Sequence, residues 1–143
     1  MKKTVTISAV ALINENHEIL LTQRPEGKSL AGMWEFPGGK IEPEETADRA
    51  AVREMEEELG VRIAEEDLQP FTFISIEYEE FFLIMLLYIV KKWEGSPQSL
   101  EGQAFAWVAI EDLTKYPVPP ADEPIIKQLQ CDFWKWRSAQ NIH

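Results

Sequence analysis

The sequence has little cysteine, a shortage of basic residues and no long apolar run. Cys131 is the only cysteine among 143 residues, so neither an internal disulfide nor a zinc site built on several thiolates is available. The 14 basic residues stand against 25 acidic ones, and the net charge of −11 disfavours a general surface for nucleic acid polymers. No segment reaches the roughly 18 apolar residues that a membrane span requires. We therefore expect a cytoplasmic protein whose partners are neither membranes nor nucleic acid polymers.

The N-terminal segment carries two lysines and an apolar run, as a signal peptide would. Its start, TVTISA at residues 4–9, alternates polar and apolar side chains, which is the period of a β-strand. We therefore predict a strand over residues 4–13 rather than a cleaved leader.

The rest of the pattern predicts one mixed α/β domain over residues 1–143. A turn at residues 14–17 should join the first two strands into a hairpin. The run FFLIMLLYIV, within residues 81–93, predicts a buried central strand, because it is apolar almost throughout. Helical spacing predicts helices over residues 46–59, with Gly60 as the stop, and 125–136. Other strands are predicted at 18–23, 34–36, 71–78 and 104–110, and residues 138–143 are expected to fray.

Four glutamates crowd the C-terminal end of the first predicted helix, in the run REMEEELG. The helix macrodipole disfavours negative charge at this end. Glu54, Glu57 and Glu58 fall on one face, because residues three and four apart are neighbours on a helix, whereas Glu56 points away. A divalent cation would reverse the repulsion, since Mg²⁺ and Mn²⁺ prefer oxygen ligands. The alternative is a solvated charged face.

Residues that flank this helix add to the pattern. The turn PGG at residues 37–39 lets a ligand approach the backbone and offers a carbonyl oxygen to a metal. Arg53 lies four residues before Glu57 and is expected to orient or neutralise it. Glu45 precedes the first helical turn, where a carboxylate either caps the helix or takes part in chemistry.

These residues spell the Nudix box: glycine, five residues, glutamate, seven residues, then Arg-Glu-apolar-any-Glu-Glu-any-Gly-apolar. Gly39, Glu45 and residues 53–61 match every specified position. The chain therefore resembles a Nudix hydrolase, which implies a Nudix-type α/β/α sandwich with a mixed β-sheet between helices. The resemblance implies Mg²⁺ as the cofactor, with Mn²⁺ as a substitute. The metal ligands that it implies are Gly38 (through its carbonyl), Glu54, Glu57 and Glu58. It assigns Arg53 to orienting a glutamate and Glu45 to a supporting role.

Further segments resemble the MutT branch, whose members cleave oxidised guanine nucleoside triphosphates. They are WEFPGGKIE (34–42), WEGSPQSLEGQ (93–103) and PPADEPII (119–126). By this resemblance Glu101 is an additional metal-side carboxylate or a general base, Arg24 binds phosphate and Phe36 lines a base pocket. The alternatives are a loop carboxylate, a surface arginine and a core aromatic. The predicted catalytic residues are Glu45, Arg53, Glu54 and Glu101, and the predicted substrate contacts are Arg24, Glu35, Phe36, Pro37, Gly38 and Asp122.

The chain departs from the best-known MutT members at Asp122, where they carry asparagine. An ionised aspartate accepts hydrogen bonds but does not donate them. It would accept from N1–H and the exocyclic amine of guanine, and would donate to O6 only when protonated. Capping of the last helix is the alternative role. The segment 77–81 is also shorter than its MutT counterpart and lacks an arginine, so one phosphate or base contact is expected to be missing.

The resemblance implies a Mg²⁺-dependent pyrophosphohydrolase that converts an oxidised purine nucleoside triphosphate, such as 8-oxo-dGTP, to the monophosphate and pyrophosphate. Such an enzyme cleans the nucleotide pool for DNA replication and repair. Two alternatives remain: a Nudix hydrolase for another nucleoside triphosphate or a dinucleotide, and a module that binds nucleotide without turnover. A monomer or weak dimer is expected. The aromatics Phe133, Trp134 and Trp136 pack the last helix on the sheet or, alternatively, form a dimer contact.

Overall fold

The structure, a computed structural model, describes the backbone of residues 1–140 and the side chains of residues 1–133. The strands are β1 (Lys3–Leu12), β2 (Glu18–Gln23), β3 (Trp34–Glu35), β4 (Gly38–Lys40), β5 (Gln69–Glu77), β6 (Phe81–Val90) and β7 (Phe105–Ala109). The helices are α1 (Ala47–Leu59) and α2 (Asp122–Gln140), with short 3-10 turns at Glu65–Asp67 and Ile110–Lys115. Neither α1 nor α2 is long and apolar enough to span a bilayer.

The strands form two sheets, and β1 and β6 lie at the centre of the larger one. Its strand order is β4-β1-β6-β5. β1 and β6 run parallel, in register from Lys3 opposite Phe81 to Leu12 opposite Val90, whereas β4 and β5 are antiparallel to their neighbours. The larger sheet is therefore mixed, as predicted. The smaller sheet has the order β3-β2-β7 and is antiparallel.

Successive side chains of β1 pack into two different hydrophobic cores. Ala9 and Ala11 belong to the core that includes α2. Val10 and Leu12 belong to the core that includes α1. The run of β6 divides in the same way, and because both faces are covered it needs no polar alternation. The predicted α/β/α sandwich and the predicted central strand are confirmed.

The predicted hairpin between the first two strands is wrong. β1 lies in the larger sheet and β2 in the smaller one, and an isolated bridge between Ile13 and Ile19 joins their ends. The intervening turn is stabilised by Asn14 Oδ1, which accepts from the Asn16 and Glu18 amides at 3.0 and 2.9 Å. A hairpin would keep both strands in one sheet. β1 instead joins β6, because its apolar side chains on both faces are buried at the centre of the larger sheet.

The predicted first helix is confirmed with its boundaries nearly unchanged. Thr46 is the N-cap, and its side chain accepts from the Arg49 N–H at 3.1 Å. Gly60 ends the helix in the left-handed conformation, with φ 70° and ψ 18°. Its N–H donates to the Glu56 carbonyl at 3.0 Å. These two residues fix the length of the helix that carries the acids.

The last helix begins at Asp122, three residues before its predicted start at 125. Phe133 is 3% exposed and packs in the core between α2 and the sheets, as expected of a core aromatic. The side chains of Trp134 and Trp136 lie outside the described residues. Of the tail predicted to fray, residues 138–140 lie at the end of α2, and residues 141–143 lie outside the described residues.

Two hydrogen bonds attach the N-terminal turn of α1 to the larger sheet. Ser8 Oγ on β1 donates to the Ala47 carbonyl at 2.8 Å. Tyr88 Oη on β6 donates to the Asp48 carboxylate at 2.5 Å. Asp48 also lies in the first helical turn, where the macrodipole favours negative charge. The helix is thus held in a defined position above β1.

We expect Tyr88→Phe to lower the free energy of unfolding by about 1–2 kcal/mol, because it removes a hydrogen bond to a charged acceptor. Chemical denaturation measures this change. Tyr78→Phe is the matched control: the Tyr78 ring stacks on Phe81, but its hydroxyl has no hydrogen bond within the described part of the chain. Equal losses in the two variants would contradict a stabilising role for the Tyr88–Asp48 bond.

Candidate active site

Arg53 is the centre of a charge network on α1. Its Nε and Nη2 atoms donate to the two oxygens of Glu45 at 2.7 and 3.0 Å. Nη1 donates to Glu54 at 2.9 Å and to Glu57 at 3.3 Å, and Nη2 also reaches the Lys40 carbonyl at 3.1 Å. The predicted contact with Glu57 is confirmed, although shorter bonds go to Glu45 and Glu54. Because the guanidinium donors form a rigid planar fork, Arg53 fixes these carboxylates relative to one another.

Glu45 holds Arg53 and does not cap the helix, so the capping alternative for this residue is wrong. The N-cap position is taken by Thr46. Glu45 Oε1 also accepts from the Glu42 N–H at 3.0 Å. The hydrogen bond from Arg53, together with that from the Glu42 amide, lowers the pKa of Glu45 to about 2. Glu45 is therefore ionised at neutral pH and anchors the guanidinium.

Glu54 lies directly against the backbone of β4. A Cβ atom on Gly39 would meet Glu54 Oε1 at 2.3 Å, so a larger residue at this position would displace the carboxylate from its place against β4. Burial raises the pKa of Glu54, and the charges of Glu57 and Glu101 act in the same direction, whereas Arg53 opposes them. A half-buried carboxylate of raised pKa is suited to accept a proton.

Glu58 is the least compensated acid of the site. Its Oε2 atom is buried and has no hydrogen-bond partner among the residues that the structure describes. Burial raises the pKa of Glu58 to about 8, and the charges of Glu54, Glu101 and Glu35 add to this, although the Gly38 amide opposes it. A buried carboxylate oxygen without a partner is unfavourable. A cation would remove that cost.

The loop after β6 brings Glu101 to the end of the helix. The Leu100 N–H donates to the Glu58 carbonyl at 3.1 Å, and the Gln98 N–H donates to the Leu59 carbonyl at 2.9 Å. These carbonyls belong to the last turn of α1, which leaves them without helical partners. The loop therefore closes the helix end and places Glu101 beside the site, as the sequence predicted.

Glu58 and Glu101 line a cleft of about 190 Å³ whose walls carry charges of both signs. Glu35, Glu58 and Glu101 supply negative charge, and Arg24 and Lys28 supply positive charge. Pockets that enclose a whole ligand usually measure about 300–1,000 Å³. The cleft therefore matches the phosphate part of a nucleotide better than a whole nucleotide.

Arg24 lies in the cleft, but it is already engaged within the protein. Its Nη1 lies 3.3 Å from Glu35 Oε1, and its Nε donates to the Ser29 carbonyl at 2.7 Å. Burial raises the pKa of Glu35, and Arg24 offsets part of that effect. Lys28 is a second cation that sequence reasoning did not single out. Lys28 is isolated in a polar loop and belongs to no sequence motif that would indicate a role.

Phe36 packs in the core with α2 and is 4% exposed, which favours its interpretation as a core aromatic. Pro37 likewise supports the backbone, since its carbonyl accepts from the Val10 N–H at 2.9 Å.

Asp122 is buried next to the backbone of Phe36, whose N–H donates to Asp122 Oδ2 at 3.4 Å. Asp122 is 4% exposed, and burial together with the charge of Glu35 raises its pKa to about 8.

The acids do not form a closed metal cage. Among the described residues, no three His, Cys, Asp or Glu side chains converge closely enough to hold one ion. Glu54 and Glu57 pair with Arg53 instead. The residues nevertheless fit a hard divalent cation, because Glu58 Oε2 lacks a partner and the surrounding donors are oxygens. The predicted metal ligands stay a prediction.

The fold and the network on α1 define a Nudix protein: residues 8–128 match the NUDIX domain model, and the chain belongs to that family. It is 37% identical over 128 residues to the 8-oxo-dGTP diphosphatase of Escherichia coli (strain K12), covering 90% of this chain and 98% of that protein. It is 35% identical over 120 residues to the CTP pyrophosphohydrolase of the same organism, covering 82% and 85%. A solved MutT structure, from work on Aliivibrio salmonicida and Vibrio cholerae, aligns with a TM-score of 0.79 at 37% identity, covering 91% of this chain and 99% of that one.

We expect Glu58→Gln to stabilise the metal-free protein more at pH 8 than at pH 4. The folded-state pKa of Glu58, about 8, lies above its value of 4.5 in the unfolded chain. The contribution of the protonated Glu58 carboxyl to the free energy of unfolding is therefore complete below pH 4.5 and is lost as the pH rises towards 8. The variant should gain at least about 2 kcal/mol relative to the native chain over that window.

Denaturation in the presence of a chelator at both pH values measures this difference. Glu56→Gln is the matched control, because Glu56 is exposed on the same helix. A relative stability of Glu58→Gln that does not change with pH would show that Glu58 is not held in a desolvated position.

Proposed function

We propose that this chain hydrolyses nucleoside triphosphates, 8-oxo-dGTP foremost, to the nucleoside monophosphate and pyrophosphate, with Mg²⁺ as its cation. The observation that carries the proposal is the buried, unpartnered Glu58 oxygen beside a cleft that also holds cationic side chains. The names of the E. coli and MutT relatives support the reaction class. Removal of oxidised nucleotides in the cytoplasm, in support of DNA replication and repair, is the corresponding cellular role.

The residues that would hold Mg²⁺, or Mn²⁺ in its place, are Glu54, Glu57, Glu58, Glu101 and the carbonyl of Gly38. When bound, such an ion neutralises phosphate charge and lowers the pKa of a water molecule. Arg53 would keep Glu54 and Glu57 in place while their second oxygens become ligands. Glu45 contributes by holding Arg53, which makes it a positioning residue rather than a participant in the chemistry.

A carboxylate near the attacking water must accept its proton. Glu54 suits this role, because burial raises its pKa while Arg53 keeps it oriented. Glu101, on the loop that closes the helix, is the second candidate. Arg24 and Lys28 would bind phosphate oxygens, and Arg24 would exchange its contact with Glu35 for the substrate. These two cations offset the acidic field of the chain where the substrate enters.

Glu58→Gln should reduce kcat for 8-oxo-dGTP by at least about 100-fold, because a neutral amide binds a divalent cation more weakly than a carboxylate, and the cation stabilises negative charge in the transition state. Pyrophosphate release with Mg²⁺ present is the measurement. Glu56→Gln should retain full turnover. Near-normal turnover of a folded Glu58→Gln protein would remove Glu58 from the catalytic centre, and no Mg²⁺-dependent release by the native chain would favour a nucleotide-binding module.

The base preference depends on the protonation of Asp122. With a pKa of about 8, most Asp122 carboxyl groups are protonated at neutral pH and offer one donor and one acceptor. That pair matches O6 and N1–H of guanine, and it equally matches N3 and the amine of cytosine. CTP is therefore a second candidate substrate, and the 35% identity to a CTP pyrophosphohydrolase supports it.

Asp122→Asn tests this assignment, because an amide offers the same donor and acceptor without titrating. At pH 7 we expect the variant to keep the ratio of kcat/KM for 8-oxo-dGTP over CTP within about threefold of the native value. At pH 9 the native ratio should move away from that of the variant, as the ionised carboxylate loses its donor. Identical pH profiles of the ratio in both proteins would show that Asp122 does not contact the base.

A further inference from the structure

Gln103 is a buried polar residue of the site to which the Nudix box assigns no role. It is 7% exposed, lines the cleft and belongs to the EGQ motif together with Glu101. Its Nε2 atom donates to the Glu58 carbonyl at 3.4 Å. Its Oε1 atom accepts from the Glu101 N–H at 3.1 Å and from Ser99 Oγ at 3.4 Å. One side chain thus touches the backbone of both Glu58 and Glu101, which line the same cleft.

The local backbone makes this contact possible. Gly102 has φ +79°, a left-handed conformation that glycine adopts without strain. The chain therefore reverses between Glu101 and Gln103, and the Gln103 amide folds back onto the N–H of Glu101. The Ser99 hydroxyl donates to the Gln103 carbonyl and closes the same turn. Within this turn the Glu101 N–H is held by the Gln103 side chain, whereas the Ser99 hydroxyl bonds the backbone carbonyl of Gln103 whatever the side chain is.

The chemical character of glutamine suits this position. The Glu58 carbonyl lies at the negative end of the α1 macrodipole and accepts a second hydrogen bond in addition to that from the Leu100 N–H, whereas the Glu101 N–H needs an acceptor. A neutral amide supplies both. A lysine would supply only donors and a glutamate only acceptors, and the latter would add charge beside acids that already repel one another.

We propose that Gln103 is a positioning residue that fixes Glu101 relative to Glu58 at the end of α1. The inference rests on the proposed function, because it gives Glu101 a part in the hydrolysis. A displacement of about 1 Å in a reacting group costs on the order of 100-fold in rate. Loss of the Gln103 bonds should therefore appear in kcat rather than in substrate binding.

The first test compares Gln103→Met, which keeps the length of the side chain but removes the amide, with Gln98→Met. Gln98 lies in the same loop and docks on α1 through its backbone, with its side chain exposed. With 8-oxo-dGTP and Mg²⁺ we expect kcat of Gln103→Met to fall between about 10- and 100-fold, with KM changed less than about threefold. Gln98→Met should match the native chain, and equal effects of the two variants would overturn the proposal.

A double-mutant cycle with Glu101→Gln separates positioning from general stability. If Gln103 acts through Glu101, Gln103→Met should reduce kcat less than about threefold once Glu101 is already changed. The same reduction in both backgrounds would overturn the proposal. If Gln103→Met does not fold, Gln103→Asn replaces it, because the shorter amide cannot reach both partners.

Amide hydrogen exchange of Glu101 tests the geometry without any turnover. The Glu101 N–H should exchange at least about tenfold faster in Gln103→Met than in the native chain or in Gln98→Met. Unchanged protection would overturn the proposal even if activity falls. A native chain that releases no pyrophosphate from any nucleotide would instead refute the proposed function, and the exchange result would still decide whether Gln103 holds the loop.

Discussion

The site depends on one guanidinium group. Arg53 holds Glu45, Glu54 and Glu57 and is itself fixed by the Lys40 carbonyl. Without this cation, the acids would repel one another at the helix end where the macrodipole already opposes them. α1 has no basic residue in its last turn, so the loop amides that bind its terminal carbonyls provide the remaining compensation. Neither Arg53 nor these loop amides compensate the charge of the Glu58 carboxylate. Glu58 is therefore the acid that a bound cation would stabilise most.

Much of the fold was predictable because its elements have strong local signals. Thr46 and Gly60 fix α1 through an N-cap and a left-handed stop, and both are readable from sequence. The unbroken apolar run of β6 indicated burial on both faces. The hairpin prediction failed because a short turn shows only that two strands are close in sequence, whereas pairing depends on which sheet can bury both faces of β1. Which sheet can bury both faces of β1 depends on the side chains of β6 and of both helices.

The residues of the site were predictable where they belong to a sequence motif of fixed spacing. The Nudix box identified the acids, and the EGQ motif placed Glu101 beside them. The contact of Arg53 with Glu57 was readable from helical spacing, but that with Glu45 was not, because it depends on how β4 and the segment after it approach α1. Lys28 and the contacts of Gln103 were equally hidden, since both depend on how loops fold back onto the helix. The raised pKa of Asp122 follows from burial, which one sequence does not reveal at a helix start.

The alternation of β1 between two cores has a consequence for how the chain can change in length. Ala9 and Ala11 serve one core, and Val10 and Leu12 serve the other. A one-residue deletion within the strand would turn each side chain to the opposite face. The deletion would also move the Ser8 carbonyl oxygen, which packs so closely on Gly38 that a Cβ atom there would lie only 2.2 Å from it. β1 can therefore accept exchanges of side chains but not changes in residue number.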